Sequence, residues 1–435
     1  MTTSLQLNLE HVTRVEGHGN IVVNVKDGKL EESRLHIVEA PRFFEAMLRG
    51  RHYTEVAPIT SRICGICSVG HTLTSLRASE NAMGIDPSPQ TQLLRKLLMH
   101  GETIESHVLH IYFLVAPDCL GVNSVVPLVQ THPDVVVRAL RMKRLGHYIG
   151  EVLAGRKIHT IAAVVNGFTR IPKAAELKEL RTKLEKEFIP DLKETVTTVL
   201  ALAPKIPNFT RKTEYVALSK PYEYAFIDGV IKSSDGDVTP ISNYREKIKE
   251  YVVKHSAAKH VRGNNGPIFV GALSRFNINY DLLTPWAKEI AAAAGLKAPC
   301  HNPFLNTVAQ LVELVHCAED AIRIIDELLE KGLKEEDRHV MTKAGIGAGA
   351  VEVPRGTLYH EYEYDDKGYI VNANCIIPTG QNLANIDADM EKLVPEILAT
   401  KTKDEIALTL EMLVRAYDPC ISCATHMLDV KFINE

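Results

Sequence analysis

The sequence predicts an α+β protein, mainly helical, with a bundled long-helix core and β hairpins at its margins. Three observations predict it. Long stretches repeat apolar residues at helical spacing. Short segments alternate apolar and polar residues around Asp-Gly or Gly turn signals. The composition, 45% hydrophobic and 24% charged over 435 residues, is that of a globular chain long enough for a large core. No internal repeat, low-complexity segment or long linker interrupts it, so one domain over residues 1–435 is expected.

The elements follow in chain order. "LQLNLEHV" and "GNIVVNVKDGKLEESRLHIVE" alternate apolar and polar residues around Asp27-Gly28 and predict strands joined by a hairpin turn. From Ser88 to about Val115, Leu93, Leu94, Leu97, Leu98, Ile104, Val108 and Ile111 fall near helical spacing. Leu177, Leu180, Leu184 and Phe188 mark a second helix, which Pro190 should kink or restart. A third runs from about Pro303 to Lys331 and stops before Gly332. Two β insertions lie between and after these helices. "YAFIDGVIKSSDGDVTP" turns at Asp235-Gly236, and "GTLYHEYEYDDKGYIVNANCIIP" turns around Asp366-Lys367-Gly368.

Composition also excludes functions. A formal net charge of -4 gives no global basic field for nucleic acid or an anionic membrane. No apolar run approaches the roughly 18 residues of a membrane span. "MTTSLQLNLEHVTRVEGHG" lacks the basic-then-apolar order of a signal peptide, so a cytoplasmic chain is expected. Eight cysteines are too few for a disulfide scaffold in a chain of this length. Cys119, Cys300, Cys317 and Cys375 are scattered and read as small buried thiols.

The other four form two pairs at opposite ends of the chain: Cys64 and Cys67 in "RICGICSVGH", Cys420 and Cys423 in "DPCISCATH". A structural zinc site is one reading, but ribbon-type zinc motifs place their second pair within a few tens of residues. A thioredoxin-like motif needs one pair beside a βαβ pattern, and no such pattern is found. Four thiolates brought together would be soft ligands suited to zinc, iron–sulfur clusters, copper(I) or thiophilic nickel. "GIGAGA" at 345–350 is similar to a dinucleotide fingerprint, but "VEVPRG" and not a helix pattern follows it.

The residues around the pairs decide between these metals. "RICGIC" followed by His71 resembles the amino-terminal motif of nickel–iron hydrogenase large subunits, and "DPCISCATH" resembles their carboxy-terminal motif. "TRVEGHG", "GAVEVPRGTLYH" and "CIIPTGQNLA" resemble three more motifs of that family. "GRKIHTIAAVVNGF" resembles a sixth, with Thr160 and Asn166 departing from its usual proline and glycine. The six run in family order from residue 13 to residue 426. Where many membrane-bound uptake members carry an aspartate before "HxxH", this chain has Ser106 before His107 and His110. That feature, "PRFFEAM" and "YDPCISC" resemble the cytoplasmic, cofactor-coupled branch with its NAD(P)-linked and sulfur-reducing members.

The resemblance implies a fold, a site and partners. Cys64 and Cys420 would bind nickel alone, and Cys67 and Cys423 would bridge nickel and an iron carrying cyanide and carbon monoxide. His71 would donate to a bridging sulfur. Arg355 would lie above the iron, paired near Asp418, with Pro378 and Thr379 around a cyanide. Glu16 would gate the proton. Glu45, the backbone carbonyl of Cys375 and His426 would bind magnesium. No cysteine spacing supports a cluster in this chain, so iron–sulfur clusters would sit in partners: a small subunit, with further diaphorase or flavin and iron–sulfur subunits passing electrons to NAD(P), ferredoxin or another soluble acceptor. In the family a maturation endopeptidase cuts after the last histidine, so the mature chain is expected to end at His426 and to lose 427–435. The readings set against this one are a dihydrogen-sensing subunit, a structural zinc protein, and a quinone-linked respiratory subunit, which shares the fold but lacks the paired cysteines.

Overall fold

The computed structural model describes residues 4–426. The first strands, Leu5–Leu9, Gly19–Lys26 and Lys29–Ile37, form a three-stranded antiparallel meander. The middle strand alternates buried and half-buried residues, as the period-2 pattern requires for a one-faced sheet. Asp27 and Gly28 both adopt positive φ, 50° and 78°, the backbone that a two-residue turn matched to strand twist demands.

Four long helical runs make the core. Ser88 caps the Pro89–Leu109 helix by accepting from the Thr91 N–H at 3.0 Å, and Pro89 sits at a first-turn position where its missing N–H costs nothing. This helix continues through a π-helical segment, His110–Val115. It packs on Pro133–Ala154 at unusually close range. A Cβ on Gly146 would stand 2.8 Å from the Gly101 carbonyl oxygen and the Glu105 backbone nitrogen, so only glycine permits this crossing. Ala174–Lys183 passes through a π turn, Leu184–Phe188, into Ile189–Leu202. Pro190 therefore restarts the helix at its first turn, as the sequence predicts. Asn306–Lys331 is the longest helix, preceded by a 3₁₀ turn at Pro303–Leu305 and stopped at Gly332 with φ 72°.

One sheet is interior, where the sequence reading places strands at the margins. Gly345–Val353, Gly356–Tyr364 and Ile370–Ile376 pair antiparallel in that order and are mostly buried. The reason is the glycine run. A Cβ on Gly349 would lie 2.6 Å from the Thr74 carbonyl oxygen and the Ala78 nitrogen, and Gly345 and Gly347 are equally blocked by the backbone of Ala82. The "GIGAGA" glycines thus press a strand onto the Ser68–Met83 helix, and the dinucleotide-like pattern is a packing device. A four-stranded sheet, ordered Ile268–Phe269, Glu214–Ser219, Val230–Ser233, Val238–Pro240, completes the β content. Its turn at Asp235-Gly236 is where the sequence predicts it.

Candidate metal centre

The two cysteine pairs meet. Cys64 follows a 3₁₀ turn, and Cys67 is the N-cap of the Ser68–Met83 helix. Cys420 and Cys423 flank and occupy the short Ile421–Ala424 helix, with Cα atoms 5.5 Å apart and their sulfurs in contact. Cys64 Sγ stands 3.4 Å from Cys420 Sγ. The sulfurs of Cys64, Cys67 and Cys420 all lie within 4.8 Å of one another. All four cysteines are buried.

Local structure favours a thiolate at Cys64. The amide of Cys67 donates to Cys64 Sγ at 3.3 Å, and the start of a 16-residue helix points its partial positive charge at this pair. A hydrogen bond from Cys67 holds the Cys64 thiol below its ordinary pKa despite burial, with Arg355 adding to the effect. The same shared proton, with burial, pushes Cys67 well up. Four soft donors in one buried volume, flanked by a cation, fit a thiophilic metal such as nickel.

Arg355 leads from the turn between two interior strands into this cluster. Its Nε donates to the Asp418 carbonyl at 2.6 Å, and Nη2 donates to Asp418 Oδ1 at 2.8 Å. Nη1 lies 3.4 Å from both Cys67 Sγ and Ser106 Oγ. The residue is 3% exposed. Asp418 holds the αL conformation, φ 51°, and its Oδ2 accepts from Gln310 at 3.2 Å. Thr379 Oγ1 accepts from the Cys420 N–H at 2.9 Å, and Pro378 precedes it as the first residue of the Pro378–Ile397 helix.

Glu16 reaches the cluster from the opposite end of the chain. Its Oε2 accepts from Cys420 Sγ at 3.2 Å and from the Ser422 N–H at 3.0 Å, and its carbonyl accepts from Ile421 at 2.9 Å. Gly17, with φ 85°, allows this contact; a Cβ there would meet Ile421 Cβ at 2.7 Å. Half-buried, Glu16 spans from sulfur toward the surface.

A second polar group lies beside the first. Glu45 Oε1 accepts from the Cys375 N–H at 2.8 Å, and His426 Nδ1 stands 3.8 Å from that oxygen without a hydrogen-bond partner. Burial raises Glu45 to about 7 and holds His426 neutral, at about 3. A buried carboxyl and an orphaned imidazole nitrogen, 2% exposed, fit a small cation that would relieve both. His71 is fully buried, and its Nδ1 pairs with His360 Nε2 at 3.2 Å; burial depresses both imidazoles. Among the described residues the side-chain hydrogen bond of His71 is to His360, not to a cysteine sulfur, and His360 in turn meets Ser75 and Tyr362.

Three supporting residues escape a sequence reading. Glu102 accepts from the Val69 and Gly70 amides at 2.7 and 3.1 Å, capping the helix that Cys67 begins. Arg275 donates to the carbonyls of Val353 and Pro354, at 2.9 and 3.0 Å, and so fixes the turn that carries Arg355. Its charge is balanced by Glu313 and Glu352. Arg42 binds the Ile63 and Ser422 carbonyls and ties the two cysteine segments together.

A mainly helical α+β fold that gathers four buried cysteine sulfurs from both chain ends defines a thiolate-ligated metalloenzyme subunit. Comparison with known proteins makes this specific. The nickel-dependent hydrogenase family model matches residues 42–133 and 213–426, and a HoxL-like model matches 6–40. The alpha subunits of sulfhydrogenases 1 and 2 of Pyrococcus furiosus are 36% and 32% identical to the chain. The first alignment covers 98% of both chains, the second 97% of this one and 99% of the relative. A crystal structure of an NAD+-reducing [NiFe]-hydrogenase in the H2-reduced state superposes with a TM-score of 0.86 at 28% identity, covering 98% of this chain and 100% of that one. The chain belongs to the nickel-dependent hydrogenases, as a large catalytic subunit of the nickel–iron class, an oxidoreductase acting on dihydrogen. Membership implies a nickel–iron centre, and the cysteine cluster is where the chain can hold one.

Proposed function

We propose that Cys64, Cys67, Cys420 and Cys423 hold the nickel–iron centre and that the chain oxidises dihydrogen reversibly to protons and electrons. The observation that carries this reading is the single buried meeting point of four sulfurs, a guanidinium and a carboxyl group. Cys64 and Cys420 would serve nickel, and Cys67 and Cys423 would be shared with an iron that carries cyanide and carbon monoxide. When bound, the metal pair supplies Lewis acidity that polarises an otherwise apolar molecule. The chain's own residues do the rest. Arg355 places a fixed positive charge beside Cys67, held rigid by Asp418, and shields the open face from water. Pro378 and Thr379 would stand on the cyanide side, and His71, its Nδ1 paired with His360, would orient a shared sulfur through its other ring nitrogen. Glu16 takes the proton from Cys420 Sγ and passes it outward, the 3.2 Å contact being within direct transfer range. Glu45, the Cys375 carbonyl and His426 would hold magnesium, and their convergence ties the carboxy-terminal segment to the body of the chain.

Electrons leave through partners. The remaining cysteines, Cys119, Cys300, Cys317 and Cys375, show no cluster-binding spacing, and iron–sulfur clusters are assigned to a small subunit. The relatives include a sulfhydrogenase subunit alpha and the beta subunit of an NAD-reducing hydrogenase. By that likeness the chain works in a cytoplasmic complex with diaphorase or flavin and iron–sulfur subunits serving NAD(P) or ferredoxin. Among the described residues, no helix is long and apolar enough to cross a membrane. A single domain is proposed, its mature form ending at His426 after endopeptidase cleavage; residues 427–435 lie outside the described residues. The test is element analysis of the purified complex with a dihydrogen-dependent dye assay. Nickel at one equivalent per chain with dihydrogen-dependent reduction is expected. Zinc in place of nickel at the cysteines overturns the reading.

A further inference from the structure

Away from the cysteines, a second set of ligand-bearing side chains converges on one buried carboxylate. The loop following the Lys249–Tyr251 strand carries His255, and His260 opens the strand His260–Arg262. Both face Asp387, on the Pro378–Ile397 helix. His255 Nε2 stands 3.4 Å and His260 Nε2 3.6 Å from the same oxygen, Asp387 Oδ2. The other oxygen, Oδ1, is engaged by the Leu35 N–H at 2.8 Å. The three donor atoms lie within 4.8 Å of one another.

A plain histidine–aspartate contact leaves this arrangement unexplained. His260 is 2% exposed, yet both its ring nitrogens lack hydrogen-bond partners, and so does His255 Nε2. Buried polar atoms are nearly always paired. Two imidazoles aimed at one carboxylate oxygen, each with the nitrogen that should bond it left unpaired, are instead spaced as donors around a common centre. Donors at about 2.0–2.1 Å from a tetrahedral zinc ion stand about 3.3 Å apart, and the observed separations are 3.4 and 3.6 Å. Arg34, whose charge reaches Asp387, is itself bonded to Glu391.

We propose that His255, His260 and Asp387 form a second metal site, for one zinc ion. Imidazole nitrogen and carboxylate oxygen suit zinc and are poor for the soft centre at the cysteines. The fourth position falls to water or to His36, whose ring centroid is 5.4 Å from that of His255 and whose Nε2 has no hydrogen-bond partner, its nearest carboxylate being Glu32 at 3.6 Å. The site is structural. The loop already docks on the amino-terminal sheet, where the Ala257 N–H donates to the Ile37 carbonyl at 2.9 Å. An ion here would fasten that sheet and loop to the helix whose second residue, Thr379, accepts from the Cys420 N–H. The proposal does not depend on which metals the cysteines bind.

The experiment compares the purified wild-type complex with His255→Ala and Asp387→Asn complexes. Each is incubated with Zn2+ and desalted, then read by mass-spectrometric metal analysis and zinc-edge X-ray absorption. His255 lies on a partly exposed loop, so its loss leaves the fold intact even where that of Asp387 does not. The wild type should retain one more zinc per large subunit than either variant, in a shell of nitrogen and oxygen only, with nickel unchanged in His255→Ala. Equal zinc in wild type and His255→Ala, or sulfur in the shell of the zinc that is lost, overturns the proposal. Absent nickel would instead count against the assignment of the cysteines, so the two failures are distinguishable.

Discussion

Replacing Arg355 by lysine isolates what the guanidinium plane does beyond its charge. Arginine makes two hydrogen bonds to Asp418, through Nε and Nη2, and a third group, Nη1, approaches Cys67 Sγ and Ser106. Lysine has one donor group on a flexible stem and cannot serve Asp418 and Cys67 together. It keeps the ion pair, so Asp418 is not left as a bare buried charge, the outcome that would unfold the site. Two contacts are lost: the Nε bond to the Asp418 carbonyl and the approach to sulfur. Buried hydrogen bonds to charged groups are worth roughly 1.5–3 kcal/mol each. Because Arg355 is 3% exposed, solvent screening does not reduce them. If a total of about 3–4 kcal/mol appears in the barrier, turnover falls by roughly two to three orders of magnitude. The assay is dihydrogen-dependent viologen reduction alongside nickel and iron content, with melting temperature as the folding control. Metal content should stay normal. Turnover within threefold of wild type at normal metal content refutes the placement of this guanidinium at the reacting face.

Four further outcomes are expected. Glu16→Gln should keep the metals and the fold but suppress both turnover and hydrogen–deuterium exchange, because an amide cannot relay a proton; wild-type exchange would return Glu16 to a purely structural contact with Ser422. Cys423→Ser should abolish nickel and iron loading, since a hard oxygen poorly replaces a bridging thiolate, and retained stoichiometric nickel would count against the assignment. Gly347→Ala should destabilise the chain by about 1–3 kcal/mol or more, the cost of forcing a methyl into closed packing, here against the backbone of Ala78 and Ala82; an unchanged melting temperature would mean that strand and helix are not in contact. Intact mass of active enzyme should correspond to a chain ending at His426, whose buried imidazole and carbonyl contact to Phe44 suit a closed segment, whereas a full-length mass with full activity would show that cleavage is unnecessary.

What the sequence made legible was local or matched a family pattern. The hairpin at Asp27-Gly28, the restart at Pro190 and the stop at Gly332 each follow from one or two residues whose backbone preferences decide the outcome. The cysteine pairs were visible because their spacing is short-range. Their meeting with Glu16 and Arg355 was available only through the resemblance. His360 partners His71 across 289 residues, and nothing in "GTLYHEYEY" marks it, because a buried histidine in a strand looks like any other. Glu102 and Arg275 read as ordinary helix residues, yet one caps the cysteine-bearing helix and the other braces the Arg355 turn. The Ser68–Met83 helix lacks a clear amphipathic stripe because it is buried nearly all round, so periodicity is silent where packing is densest. The interior position of the glycine-rich sheet was hidden for a related reason. Missing side chains say that something comes close, not what.

The parallel bridge between Glu16 and Cys420 also fixes an order of events in the life of the chain. The amino-terminal sulfurs emerge from the ribosome early, while the partners that complete their cluster are among the last residues made. At roughly 5–20 residues per second, translation keeps Cys64 and Cys67 waiting for something like 20–70 seconds. Closing a loop of 356 residues in a disordered chain would cost about 5 kcal/mol in entropy, a cost the cluster avoids if the helices between have already folded and brought the ends near. The nine residues 418–426 then behave as a latch on a finished vessel. They make no strand in any sheet and are held by scattered contacts to Glu16, Arg42, Phe44, Arg355 and Thr379. Such a segment can stay open while the body is complete, which leaves a window in which metal is delivered to a folded cradle before the door swings shut.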